Sequence, residues 1–163
     1  MEGITARPES SHSDDAARLL AGAVAELNRR YPEFGATPYD PTEADQPGAA
    51  FVIARKADGE AVGCGALRPF REGVAEIKRM FVPEQYRRRG VSREIMVGLE
   101  SAAEAAGYDW VVLETGVRQP EAIALYEKVG YDRIPNYGRY EGDDLSVCFA
   151  KKIKKDTRRE LIL

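Results

Sequence analysis

The segment running from Met80-Phe81-Val82 through Arg87-Arg88-Arg89-Gly90-Val91-Ser92 constrains this chain most. An apolar run passes through a glycine turn into a stretch of helical spacing at residues 93–106. A strand entering a helix in this way aims several unpaired backbone N–H groups at one point, beside three arginines and the positive end of the helix dipole. Those groups together suit a pyrophosphate, so a phosphate-bearing cofactor is expected.

Apolar spacing extends the reading along the chain. Residues 4–7 suit a first strand. Ser11-His12-Ser13-Asp14-Asp15 supplies cap residues and first-turn acids for a helix whose face is Ala17, Leu20, Val24, Leu27 and Tyr31, with Pro32 as its stop. Residues 38–48 read as a loop holding a short helical turn. Strands at 50–55 and 61–67 flank the hairpin signal Asp58-Gly59, residues 68–73 form the next turn, and 74–82 is a third strand closed by Pro83.

The second half changes character. Residues 92–106 form a helix with the stripe Ile95, Leu99, Ala102 and Ala106, stopped by Gly107. The unbroken apolar run 110–113 predicts a strand covered on both faces. Pro120 opens a helix carrying Ala122, Tyr126 and Val129, and two last strands fall at 131–134 and 145–151. The order β-α-β-β-β-α-β-α-β-β predicts an α/β fold of the α+β type: a mixed, mostly antiparallel sheet flanked by helices.

With 163 residues, 44% hydrophobic and 31% charged, the chain reads as one soluble domain, 1–163. A formal charge of −3 argues against a nucleic-acid partner, and the basic residues at 151–159 read as a solvated tail, with a basic terminus at about 154–163. No apolar run is long enough for a membrane span. Met1-Glu2-Gly3-Ile4 lacks the parts of a signal peptide, so a cytoplasmic protein is expected. Cys64 and Cys148 read as buried free thiols, and a single histidine, His12, leaves little for a zinc site or a His-based triad; no metal is expected.

Gly90 stands outside any Gly-x-Gly-x-x-Gly dinucleotide pattern, and no Gly-Lys-Ser/Thr follows it. Arg87-x-x-Gly90-x-Ser92 instead resembles the Gln/Arg-x-x-Gly-x-Gly/Ala signature of the GCN5-related N-acetyltransferases. Ala122-Ile123-Ala124-Leu125-Tyr126-Glu127-Lys128-Val129-Gly130-Tyr131 resembles that family's second signature. The likeness covers roughly residues 50–151.

The resemblance implies acetyl-coenzyme A as cosubstrate, a small-molecule or peptide amine as acceptor, and a homodimer as the family's common state. It assigns the pyrophosphate to Arg87, Arg88, Arg89, Gly90, Val91, Ser92 and Arg93. Pantetheine would lie along Met80, Phe81 and Val82, with the Met80 N–H as oxyanion donor. Gln119 stands where the family often has Asn, beside the pantetheine arm. Tyr126 falls at the family's general acid; by spacing alone it is equally a core residue.

Transfer to an amine needs the neutral form, which at pH 7 is only about 0.04% of an alkyl ammonium of pKa ~10.4. Glu76 is the first choice of base. Strand alternation puts it on one face with Lys78, Met80 and Val82, and the resemblance implies the role through the histone-acetylating branch. Its alternative is a strand-edge carboxylate paired with Lys78 or Arg79. Glu114, beside Thr115 at the end of the buried strand, is the second choice. Tyr137, Arg139, Tyr140 and Asp143 read equally as a substrate wall or a structural loop. The function expected is direct acetyl transfer from acetyl-CoA to a primary amine; the alternative is a CoA-binding sensor without catalysis.

Overall fold

Ser13 starts the first helix, as its position before two acids suggests: its hydroxyl accepts the Ala16 N–H at 3.1 Å. In the computed structural model, which describes residues 3–36, 39–156 and 158–163, the strands and helices follow the expected order. They are β1 (Thr5–Pro8), α1 (Asp14–Arg30), β2 (Ala50–Arg55), β3 (Ala61–Arg71), β4 (Val74–Phe81), α2 (Val91–Ala105), β5 (Trp110–Gly116), α3 (Pro120–Lys128), β6 (Asp132–Ile134) and β7 (Ser146–Lys152). Pro38, at the start of the expected loop, lies outside the described residues, as do Met1 and Glu2. The helical turn expected in that loop is a 3-10 segment, Pro41–Asp45, capped by Asp40.

The sheet has seven strands in the order β1-β2-β3-β4-β5-β7-β6. Only the β4–β5 pair is parallel; the other neighbours run antiparallel. Helices α2 and α3 cover one face, where Ile95, Leu99 and Tyr126 meet Ile77, Leu113 and Phe149. On the opposite face α1 packs on β3 and β4, its Leu19 and Leu20 in one cluster with Phe51 and Ile53 of β2. Farther along that face Tyr137 and Tyr140 cover Val74, Val112 and Cys148. The run 110–113 is therefore covered from both sides, with Val111 and Leu113 in one cluster and Val112 in the other. Gly63 and Gly65 let α2 approach β3 closely; a Cβ at either would come within 2.8 Å of Ile95 or Leu99.

Four expectations are corrected. First, β3 runs on to Arg71, so the turn is the short Glu72-Gly73, with Gly73 at φ +75°. Arg68, expected in the turn, instead pairs across the ladder with Glu76. Second, α1 buries Ala16, Leu19, Leu20 and Ala23 and leaves Ala17 exposed, because this register sets both adjacent leucines against Phe51 and Ile53.

Third, β4 does not alternate evenly. Arg79 takes φ +57° in a bulge: Ala66 pairs with Lys78, but Cys64 pairs with Phe81. The extra residue turns Met80 and Val82 to the face of Ile77, away from Glu76 and Lys78. Fourth, the basic tail is partly docked. Lys151 lies on β7 and donates to Glu100 and the Val129 carbonyl, each at 2.9 Å. Arg159 meets Asp109 at 2.9 Å, its carbonyl accepts from the Trp110 indole, and Leu161 and Leu163 pack beside the Tyr137 cluster.

Candidate active site

Pairing between the parallel strands ends at Ile77 and Leu113. Beyond that point the strands part, and a cavity of about 770 Å³ opens between them. β4 contributes Lys78, Arg79, Met80 and Phe81 to its wall, while β5 contributes Glu114 and Thr115. Tyr126 closes it from α3, and Tyr31 and Tyr39 face it from the side of α1. Arg139, Tyr140 and Asp143 line it from the loop before β7, and Ser146 from the start of that strand. The bulge at Arg79 thus lets the cavity reach both faces of the sheet: Met80 and Tyr126 stand on one, Lys78 and Glu114 on the other.

Tyr126 is 6% exposed, and its hydroxyl lies 3.7 Å from the Met80 sulfur. Burial, and then the charge of Glu114, push its phenol well above the ordinary tyrosine range, so it stays protonated. Glu114 is half-buried. Burial raises its carboxyl above the usual carboxylate range, against a 2.7 Å hydrogen bond from the Ser146 hydroxyl and the charges of Lys78 and Arg139. A carboxylate so placed is a better proton acceptor than a solvated one.

Glu76 has a different setting. It is 1% exposed and is not among the residues that line the cavity. Arg68 donates to its Oε1 through Nε at 2.9 Å and Nη2 at 2.8 Å, and Tyr137 donates to Oε2 at 2.6 Å. The partner is thus Arg68, not Lys78 or Arg79.

Past the end of β4, the turn into α2 holds Arg88 at φ +64° and Gly90 at φ +79°, and no side chain caps the helix. Two left-handed positions so close together turn successive amides to one side, a concavity that suits anions. The Arg87 guanidinium is committed to the Val82 carbonyl at 2.9 Å and to Glu26, which ties the turn to α1. Val91 is buried under the sheet. Arg88, Arg89 and Gly90 are exposed, and Ser92 and Arg93 stand in the first turn of α2.

The family model for the acetyltransferase (GNAT) family matches residues 20–131. The chain belongs to this family. It is 36% identical over 155 residues to the IAA acetyltransferase of Azospirillum brasilense, a match covering 94% of this chain and 100% of that one. An acetyltransferase of Streptococcus agalactiae shares the fold at a TM-score of 0.74 and 18% identity, covering 93% and 99% of the two chains. A GNAT family acetyltransferase of Elizabethkingia anophelis with acetyl-CoA bound superposes at 0.65 and 19% identity, again over 93% and 99%. The chain is therefore an acetyltransferase with a GNAT fold.

Within this GNAT domain the structure brings Met80, Phe81, Gln119 and Tyr126 to one cavity, and sets the 87–93 turn outside its lining. Val82 is buried in the core beside α2. Gln119 precedes α3, its side-chain oxygen 3.2 Å from the Gly116 N–H. In the loop of Tyr137 to Asp143, Arg139, Tyr140 and Asp143 line the cavity, while Tyr137 donates to Glu76. Sequence reasoning missed Arg68, Lys78 and Ser146. Counting back from Glu72-Gly73 sets Pro69 opposite Glu76, and only the irregularity between Pro69 and Arg71 brings Arg68 there; Ser146 carries no local signal.

Among the described residues no helix is long and apolar enough to cross a membrane. His12 sits on the surface against Asp45 at 2.8 Å. Cys64 and Cys148 are buried free thiols, and burial pushes Cys64 up to about 12.

Proposed function

We propose that this enzyme transfers the acetyl group of acetyl-CoA to the primary amine of a small molecule, by direct attack within the cavity between β4 and β5. The observation carrying this reading is that one opening joins Tyr126 and Met80 on one face to Glu114 on the other. The acetyl-CoA held by the Elizabethkingia relative is consistent with it. Bound acetyl-CoA would supply an activated thioester carbonyl.

The residues present fit that group. Amides of Arg89, Gly90, Val91 and Ser92, with the side chains of Arg88 and Arg93, would hold the diphosphate at the uncapped start of α2. Arg87 shapes the turn through Glu26. Past the end of pairing, Met80, Phe81 and Val82 offer strand backbone to the pantetheine arm, and the Met80 N–H polarises the carbonyl oxygen. Gln119, on the same cavity wall, would lie along that arm.

Glu114 takes the proton from the amine, since it faces the cavity with a raised pKa while Glu76 is enclosed by Arg68 and Tyr137. Glu76 is a positioning residue that holds Arg68 in the cavity wall and Tyr137 behind it. Tyr126 gives its proton to the departing sulfur and regains one from solvent or from the amine side. Holding amine and thioester together accounts for up to about 7–11 kcal/mol of barrier lowering.

The test is amine-dependent thiol release from acetyl-CoA by the purified chain across an amine panel, with wild type, Tyr126→Phe and Glu114→Gln. Tyr126→Phe is expected to lower kcat with KM for acetyl-CoA nearly unchanged, and Glu114→Gln to lower kcat/KM for the amine. Equal rates for Tyr126→Phe and wild type on a confirmed substrate would remove Tyr126 from the chemistry.

A further inference from the structure

On the face of the cavity opposite Tyr126, two cations converge on one hydroxyl. The Lys78 ammonium donates to the Tyr140 phenol oxygen at 2.7 Å, and the Arg139 guanidinium donates to the same oxygen at 3.3 Å. Two donors occupy that oxygen's lone pairs, which leaves the phenol's own proton for a third partner. Among the described residues neither Lys78 nor Arg139 has a carboxylate within 4 Å.

The nearby carboxylates are engaged elsewhere. Glu76 is bound by Arg68 and Tyr137, and Glu43 lies 3.8 Å from Arg68. Asp143 accepts from the Leu145 N–H at 2.9 Å and from the Ser146 hydroxyl at 3.3 Å. Glu114 accepts from Ser146 and feels the charges of Lys78 and Arg139 at longer range, without an ion-pair contact to either. With no carboxylate in contact, the donors of both cations on this wall are open to an anion from outside. A substrate anion placed there would make charge-assisted hydrogen bonds with both.

We propose that the acceptor is an amine carrying a carboxylate, its acid group seated on Lys78, Arg139 and the Tyr140 hydroxyl while its amine faces Glu114. This rests on the acetyl-transfer reading of the same cavity. The pairing of charges is complementary: cations receive the acid end, and the one cavity carboxylate nearest the end of strand pairing receives the ammonium end. The guanidinium fork of Arg139 matches the planar geometry of a carboxylate. The loop bearing Arg139 and Tyr140 is held from behind by the T-shaped contact of Tyr137 with Tyr140, centroids 5.6 Å apart, and by the Tyr137–Glu76 hydrogen bond. The seat is therefore built on a fixed backing.

Two measurements on the full chain test this. In the first, CoA-saturated protein is titrated, by thermal shift and calorimetry, with the proteinogenic amino acids and with the amine each yields on decarboxylation. At least one amino acid should bind more tightly than its decarboxylated match. Arg139→Gln and Lys78→Met should each weaken the amino acid about 10- to 100-fold and leave the match nearly unaffected, while Arg139→Lys keeps part of the preference. If no amino acid outbinds its match, or if the variants weaken both members equally, the proposal falls.

In the second, the same pairs are assayed for thiol release, where the variants should raise KM for the acceptor more than they lower kcat. A variant that lowered kcat alone, leaving KM untouched, would count against the seat. Thiol release absent with every amine would overturn the acetyl-transfer reading, while the binding comparison would still decide the seat.

Discussion

Replacing Ser146 with alanine separates the two carboxylates that the sequence offers as base. The Ser146 hydroxyl donates to Glu114 at 2.7 Å and has no contact with Glu76, whose donors are Arg68 and Tyr137. A hydrogen bond to a charged group contributes about 1.5–3 kcal/mol, and Ser146 is shared with Asp143 at 3.3 Å, so the lower end applies. Losing about 1.4 kcal/mol from the ionised form alone makes Glu114 hold its proton about tenfold more tightly. Glu114 must be ionised to accept a proton, so kcat/KM falls as pH drops through its pKa. In Ser146→Ala this acid limb moves to higher pH: on the limb kcat/KM is about tenfold below wild type, and on the alkaline plateau the two agree. Tyr137→Phe, which strips a donor from Glu76, leaves the limb in place. The assay is kcat/KM for the amine against pH at saturating acetyl-CoA. A limb that stays fixed in Ser146→Ala and moves in Tyr137→Phe would refute the assignment and return the base to Glu76.

Burial raises the Glu114 pKa, so its ionised form costs the fold stability as pH rises above the ordinary carboxylate range. Glu114→Gln should accordingly be more stable than wild type at pH 8 and equal to it near pH 4 by urea denaturation; a variant less stable at pH 8 contradicts this. Tyr137→Phe keeps the ring contacts with Phe70 and Tyr140 but leaves one oxygen of a buried carboxylate without its donor. A loss of about 2 kcal/mol is expected, which lowers Tm by roughly 4–8 °C for a chain of this size, and a change below about 0.5 kcal/mol would show the bond to be dispensable. Burial raises the phenol pKa values of Tyr39, Tyr126, Tyr131 and Tyr137. Stability they help maintain is present below the unfolded value of about 10 and is lost as pH rises above it. Absorbance titration should show these phenols ionising only with unfolding, and a single folded-state transition of all tyrosines near pH 10 would refute this.

Much of the architecture was legible because spacing and punctuation agree along the chain. Asp58-Gly59, Gly107 and Pro120 fall at the boundaries they suggest, and the unbroken run at 110–113 is the doubly covered strand β5. What failed depended on partners distant in sequence. In α1, alanines on several sides make two registers equally periodic, and only Phe51 and Ile53 select between them. In β4, period-two reasoning assumes an unbroken ladder, and a left-handed arginine gives no warning in the way a glycine would. The last residues looked solvated because their charge is local, whereas Asp109, Trp110 and Glu72 come to meet Arg159 from elsewhere in the fold. Within the cavity, Tyr126 was legible through its motif. The cations that meet at Tyr140 come from β4 and from the loop before β7, so only the folded chain brings them together.

The single extra residue at Arg79 makes the sheet a partition with one window in it. Consecutive side chains of β4 look out on different sides of that partition, so a molecule waiting at Lys78 and another lying by Met80 need not compete for a doorway. Deleting one residue there would even out the pairing with β3, while the gap past Ile77 and Leu113 would stay open.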